Sequence, residues 1–161
     1  EAFADRWIMF MGLTLFTTVA LGVALSTSTV PVPDAKGAAN TIDSTAGSNG
    51  GTHAEYEHHA EEVQVRAQSF GLRNEGGTSR ATVAFGSLVP VNVGDSHYDR
   101  LEQILLGEQW QDVFDDKEAF RDTSNDATEE AVGNEKWREA SGTLRVTTEV
   151  IDGERITIVA F

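Results

Sequence analysis

The chain of 161 residues contains no cysteine, which excludes a disulfide-stapled scaffold, a thiolate zinc site and a cysteine nucleophile. Basic residues are also scarce: 12 Lys and Arg stand against 26 Asp and Glu, so the formal net charge is −14. A surface of this sign repels phosphate backbones. We therefore expect no nucleic acid among the partners.

Lysine and large apolar residues are both few. Three of the basic residues are lysines, and the acidic residues are spread along the chain, a balance that resembles the proteins of extreme halophiles. After residue 30, Leu, Ile, Val and Phe together make up about a fifth of the sequence, near the level at which chains struggle to build a core. We therefore expect a small core whose charge repulsion is screened by salt.

Catalytic motifs are missing as well. The sequence has no GxSxG elbow, no P-loop and no GxGxxG. Pairs of carboxylates are frequent, but in a chain with 26 acids they carry almost no information about acid–base chemistry. We expect neither enzymatic activity nor a cofactor.

One cluster has side chains that could bind a metal: His53, Glu55, Glu57, His58 and His59 lie within seven residues. Imidazole together with carboxylate can bind zinc, copper or nickel. However, adjacent His58 and His59 point in different directions on a regular backbone, and the i, i+4 histidine pair of a zincin helix is absent. We interpret the cluster as a hydrophilic strand edge or loop and expect no metal.

The apolar residues are concentrated near the start. Residues 7–25 (WIMFMGLTLFTTVALGVAL) contain no charge and no proline, and a helix of this length spans roughly 28 Å, enough for the hydrocarbon core of a bilayer. We predict a long N-terminal hydrophobic helix. A secretory signal would normally be removed from a mature chain. If Glu1 is the mature N-terminus, cleavage occurred before the apolar segment and left it attached.

An acidic fifth residue followed by about twenty apolar residues resembles the N-terminus of type IV pilins. Asp5 stands where that family most often has glutamate, whereas Glu1 replaces the usual apolar first residue and Arg6 directly follows the acid. The rest of the chain resembles haloarchaeal pilin-like surface proteins. The resemblance implies processing by a prepilin peptidase, a membrane location before assembly, pilus assembly machinery as a partner, and self-association into a helical filament outside the cell.

Within such a filament, a buried carboxylate is costly unless it is paired, and the α-amino group of a neighbouring subunit is a suitable partner. We therefore assign the subunit register to Glu1 and Asp5. The alternative is a single-span membrane-anchored surface protein whose outward domain binds a partner, with Asp5 and Arg6 in the headgroup layer. The large apolar residues assigned to the filament core or membrane helix are Phe3, Trp7, Ile8, Phe10, Leu13, Leu15, Phe16, Val19, Leu21, Val23 and Leu25.

The pattern as a whole predicts an α+β fold, in which the long helix precedes a mainly antiparallel β domain with an acidic helical insert. We divide the chain into the hydrophobic helix of residues 1–25, a neck with a short helix and loop at 26–52, and an acidic globular β-rich domain at 53–161. Asp34 is a suitable N-cap for the short helix, which Gly47 would end.

Alternating apolar and polar residues predict strands at 63–68 and 80–85, with a hairpin loop at 74–77 between them. A second hairpin is predicted at the C-terminus, with Asp152-Gly153 in a type I′ turn. Between the hairpins, residues 98–106 show a helical apolar face. The highly charged residues 115–139 are typical of a solvated face or a mobile loop.

Overall fold

A computed structural model describes residues 30–161 of the chain. Its first helix, α1 (Ala35–Ala46), begins after Pro33, because proline removes a backbone donor and disfavours helix upstream. The Asp34 carboxylate caps the helix by accepting the N–H of Gly37 at 2.9 Å. The helix ends at Gly47. The start and end predicted for this short helix are confirmed.

The predicted fold class is wrong for the described residues, whose first helix is short and is not the predicted long hydrophobic helix. The first helix described is α1, which has 12 residues and buries one side formed mainly by alanines and Ile42. The Asp34 cap and the prolines before it limit α1 to this length. Residues 1–25 lie outside the described residues. Within residues 30–161, no helix combines the length and the apolar character that crossing a membrane requires.

The strands of the described chain form two sheets. They are β1 (Thr52–Glu57), β2 (Glu62–Val65), β3 (Ser69–Asn74), β4 (Gly77–Thr82), β5 (Leu88–Pro90), β6 (Arg138–Glu139), β7 (Thr143–Ile151) and β8 (Glu154–Ala160). The first sheet has the order β1-β7-β8-β5 and the second the order β4-β3-β2-β6. Neighbouring strands are antiparallel except for the β5–β8 pair, which is parallel. The prediction of a mainly antiparallel α+β domain is confirmed.

The C-terminal hairpin joins β7 to β8 through Asp152 and Gly153, whose φ angles are +52° and +84°. Positive φ at both central residues is the signature of the predicted type I′ turn. The other predicted loop is also a hairpin, but it joins β3 to β4 and not the strand that contains Val63. β4 ends at Thr82, earlier than predicted, because the Asp43 carboxylate of α1 takes up the N–H of Ala84 at 2.8 Å.

The insert between β5 and β6 contains α2 (Tyr98–Leu105), α3 (Trp110–Val113) and α4 (Lys117–Gly133). The helical face predicted at residues 98–106 is confirmed. Of the two alternatives for residues 115–139, the loop is wrong because most of the stretch forms α4, whereas the solvated face is confirmed by the exposed acids of that helix. Asp116 caps α4 by accepting the N–H of Ala119 at 2.7 Å. One side of α4 is buried through residues spaced by three or four positions: Phe120, Ser124, Ala127 and Ala131.

Residues 31–161 form one compact unit with two hydrophobic clusters. The first cluster joins α1 and the second sheet to one side of β7 and β8, and its largest members are Ile42, Phe70, Leu72, Leu88 and Leu144. The second cluster joins the insert to the other side of the same strands, and its largest members are Leu101, Ile104, Phe114, Phe120 and Ile158. The central strands β7 and β8 are therefore covered on both faces.

Candidate functional site

The most distinctive polar site lies where residues 31–34 rest against the folded unit, and we call it the N-terminal seat. The side-chain amide of Asn74 donates hydrogen bonds to the carbonyl oxygens of Pro31, at 2.9 Å, and of His59, at 3.0 Å. The amide is held in place because its own oxygen accepts the N–H of Gly76 at 2.8 Å in the β3–β4 turn. Asn74 in the β3–β4 turn thus links the segment of residues 31–34 to the residue that follows the end of β1.

Two further hydrogen bonds complete the fastening. The Ser79 hydroxyl of β4 donates to the carbonyl oxygen of Pro33 at 2.6 Å. The N–H of Asp34 donates to the carbonyl oxygen of His58 at 3.3 Å. Prolines have no N–H, so this segment offers mainly carbonyl acceptors. The seat supplies the matching donors.

The Asp34 carboxylate ties the seat to both α1 and β1. One oxygen caps α1 through Gly37, and the other accepts a short hydrogen bond from the Tyr56 hydroxyl of β1. The hydrogen bond from Tyr56, followed by that from the Gly37 N–H, holds the pKa of Asp34 below its ordinary value. The same contact raises the pKa of Tyr56. A Cβ atom at position 37 would collide with the Tyr56 hydroxyl and the Asp34 carboxylate, so any larger residue there must displace this hydrogen-bonded pair.

Behind the seat lies His58, whose side chain is fully buried. Its Nδ1 accepts the N–H of Ala60 at 3.1 Å, so the proton of the neutral ring is on Nε2, which has no partner within residues 30–161. The ring packs beside Phe161, with centroids 5.8 Å apart. Burial, with a smaller contribution from His59, lowers the pKa of His58 to about 4. The imidazole is therefore neutral at pH 7. It packs in the interior and accepts a hydrogen bond from the backbone.

The residues assigned to assembly from the sequence cannot be placed against this seat. Glu1 and Asp5 lie outside the described residues. The same holds for the predicted filament core residues, which are Phe3, Trp7, Ile8, Phe10, Leu13, Leu15, Phe16, Val19, Leu21, Val23 and Leu25.

The histidine and glutamate cluster is dispersed by the fold. His53 lies on β1, with Nδ1 2.7 Å from the Thr147 hydroxyl. His58 is buried, and His59 is exposed in a left-handed conformation with a φ angle of +57°. Across residues 30–161, no three histidine, aspartate or glutamate side chains are grouped so that they could hold a metal ion.

Sequence reasoning identified Asp34 as a helix cap but missed its partners in the seat. Tyr56 could have been found, because the alternation in THAEYE places it on the half-buried side of β1 that faces α1. Asn74 and Ser79 gave no such signal. Their role depends on pairing with a segment that is distant from them in the chain.

Comparison with known proteins identifies the family of the chain. No match is found among curated proteins or among solved structures. A family model, described as a family of unknown function (DUF7283), matches residues 1–148 and therefore includes both the apolar segment and most of the folded unit. The chain belongs to this family, DUF7283.

Proposed function

We propose that this protein is a structural subunit of a type IV pilus-like extracellular filament. Its apolar N-terminal segment mediates polymerisation, and its acidic folded unit is exposed for adhesion and surface attachment. Before assembly the chain resides in the membrane, where the prepilin peptidase and the pilus assembly machinery act on it. The protein has no enzymatic role and no cofactor in this proposal.

One observation carries the proposal: the uncharged apolar segment, residues 7–25, is followed closely in the chain by the N-terminal seat. If the folded unit is held by the apolar segment, any mechanical force on the unit passes through residues 31–34. Each hydrogen bond of the seat contributes about 0.5–1.5 kcal/mol. The seat distributes such a load over β1, β3 and β4. The family match extends over the apolar segment and the folded unit together.

The assembly chemistry depends on Glu1 and Asp5. An incoming subunit whose Asp5 carboxylate pairs with an α-amino group is held in axial register, since an unpaired charge among apolar side chains is expensive. The acidic surface remains outside and hydrated.

Electron microscopy of material sheared from cells in concentrated salt tests the proposal, combined with mass spectrometry that identifies this chain and its N-terminal residue. We expect thin filaments made of this protein. Asp5→Ala should abolish them, whereas Asp115→Ala, which removes an exposed acid of the insert, should leave filament yield unchanged. Filaments that form equally well with Asp5→Ala would contradict the assigned register.

A second candidate is a single-span membrane-anchored surface protein. It is favoured by Arg6, which directly follows Asp5 and can neutralise it within the same chain. In that case the protein is recovered only from detergent-extracted membranes, no filament contains it, and the folded unit binds a partner at the surface.

A further inference from the structure

A groove of about 520 Å³ lies beside α2, where β8 ends and β7 begins. One wall is apolar and includes Val91, Leu105, Ala160 and Phe161, while Val93 stands 83 % exposed at the rim. The volume lies within the range of small-molecule sites, which are mostly apolar with a few placed polar groups. We call it the Arg145 groove, after the residue that distinguishes it.

Arg145 is a half-buried arginine without an ion pair. Glu55 lies directly across from it on β1, but no carboxylate within residues 30–161 comes within 4.0 Å of its guanidinium. The side chain lines the groove instead, close enough to Tyr98 for its charge to oppose the rise in the pKa of that phenol. In a chain with net charge −14, a half-buried cation left without a carboxylate is unusual.

The other charged groups of the groove are largely engaged. Arg138 pairs with Asp95 at 2.9 Å. Glu102 accepts the Tyr98 hydroxyl at 2.5 Å. Glu139 is exposed at the rim. The groove therefore offers one available guanidinium next to an apolar wall, with enough negative charge nearby to disfavour a dianion.

We propose that the Arg145 groove binds a small monocarboxylate with an apolar body. The guanidinium presents a planar fork of donors that matches the two oxygens of a carboxylate. The apolar body would cover Phe161 and Leu105 and bring Val93 out of water. A phosphate fits less well because its second charge faces Glu102 and Glu139. This site is independent of the filament proposal, since none of its residues belongs to the apolar segment or the seat.

The test uses the full chain, kept in solution by an amphipathic polymer in concentrated salt, with the polymer alone as the blank. The probe is 4-phenylbutyrate, titrated by isothermal calorimetry, and the matched uncharged probe is 4-phenylbutan-1-ol. We expect saturable 1:1 binding of the carboxylate and binding of the alcohol that is at least about tenfold weaker, because a hydrogen bond to a charged group contributes about 1.5–3 kcal/mol. Equal binding of the two probes, or no saturation by the carboxylate, overturns the proposal.

Variants locate the site. Arg145→Gln should weaken 4-phenylbutyrate binding at least about tenfold, while Arg66→Gln should leave it unchanged, because Arg66 pairs with Glu135 away from the groove. Arg145→Lys keeps the charge without the fork and should show intermediate affinity. Near-ultraviolet circular dichroism establishes that each variant is folded. Unchanged affinity in a folded Arg145→Gln variant refutes the assignment, and if that variant does not fold, Arg145→Lys decides in the same way.

Discussion

Lowering the pH should destabilise the folded unit through one residue, His58. The imidazole is fully buried, and burial lowers its pKa from 6.5 to about 4. In the unfolded chain the ring titrates with its ordinary pKa. Between these two values the unfolded state binds more protons than the folded state, so the free energy of unfolding falls as the pH falls.

The size of this effect follows from the two pKa values. The contribution of His58 is fully present above pH 6.5 and is lost as the pH drops toward about 4. Between pH 7.5 and pH 4.5 the loss is about 2–3 kcal/mol by linkage. That is a large share of the stability of an ordinary domain, about 5–15 kcal/mol.

Urea unfolding of the wild-type chain and of His58→Asn at pH 7.5 and pH 4.5, at constant ionic strength, isolates the effect. Asparagine keeps an oxygen that can accept the N–H of Ala60 but does not titrate. Between pH 7.5 and pH 4.5, the free energy of unfolding of His58→Asn should therefore fall by about 2–3 kcal/mol less than that of the wild type. His59→Asn is the matched control: this ring is exposed, and asparagine tolerates the positive φ. It should follow the wild type closely, because His59 makes only the smaller contribution to the lowered pKa of His58.

The titration of carboxylates does not affect the difference in stability between the wild type and the variants. The pKa values of Asp34 and Asp152 lie below their ordinary value of 3.8, so their stabilising contribution is lost mainly below pH 4. The hydrogen bond from Arg73 lowers the pKa of Glu62 below 4.5, and its contribution is also lost as the pH falls. Glu149 has a raised pKa because of burial, and its effect has the opposite sign. All four are common to the wild type and both variants. Equal losses for wild type and His58→Asn would refute the assignment of the buried, neutral imidazole.

Three further predictions concern stability, measured by thermal unfolding. Gly37→Ala should destabilise the chain although alanine normally favours a helix by about 0.8–1 kcal/mol, and the same change should destabilise less in a Tyr56→Ala background, which removes the collision with the phenol and leaves the one with the Asp34 carboxylate. Gly153→Ala should cost about 1–2 kcal/mol, since its φ is +84°, whereas Gly133→Ala, with open space around it, should cost nothing. The melting temperature should rise from dilute to molar salt because screening weakens the repulsion within a chain of net charge −14; an unchanged value contradicts this.

Features set by neighbouring residues could be predicted from the sequence. Asp34 and Gly47 define α1 by local capping, and Asp152-Gly153 defines the last hairpin by local backbone preference. The sequence could not distinguish helix α4 from a loop because most of its buried side is made of alanine and serine, which carry little hydrophobic signal. The seat was missed for a different reason, since its donors and acceptors are far apart in the chain.

β3 shows how a distant contact can hide a strand. Phe70, Gly71 and Leu72 are buried in succession, so the alternation that indicates a half-exposed strand is lost. Gly71 is covered on its outer side by Trp137, whose ring lies 3.1 Å from the place where a Cβ would stand. The guanidinium of Arg73 stacks on the same ring, 4.3 Å from its centroid. The pattern within residues 69–74 does not predict the contact with Trp137, which lies more than sixty positions later in the chain.

The same reasoning explains how a chain with few large apolar residues builds its interior. Alternate residues of β8 face opposite sides, so Val159 contributes to the cluster with α1 and Ile158 to the cluster with the insert. Small residues on α1 and α4 let these helices approach the sheets closely, which reduces the volume that large side chains must fill. Because β7 and β8 are shared by the two clusters, large side chains on either face of these strands are buried. Composition alone underestimates the core because it counts apolar residues and not the faces on which they lie.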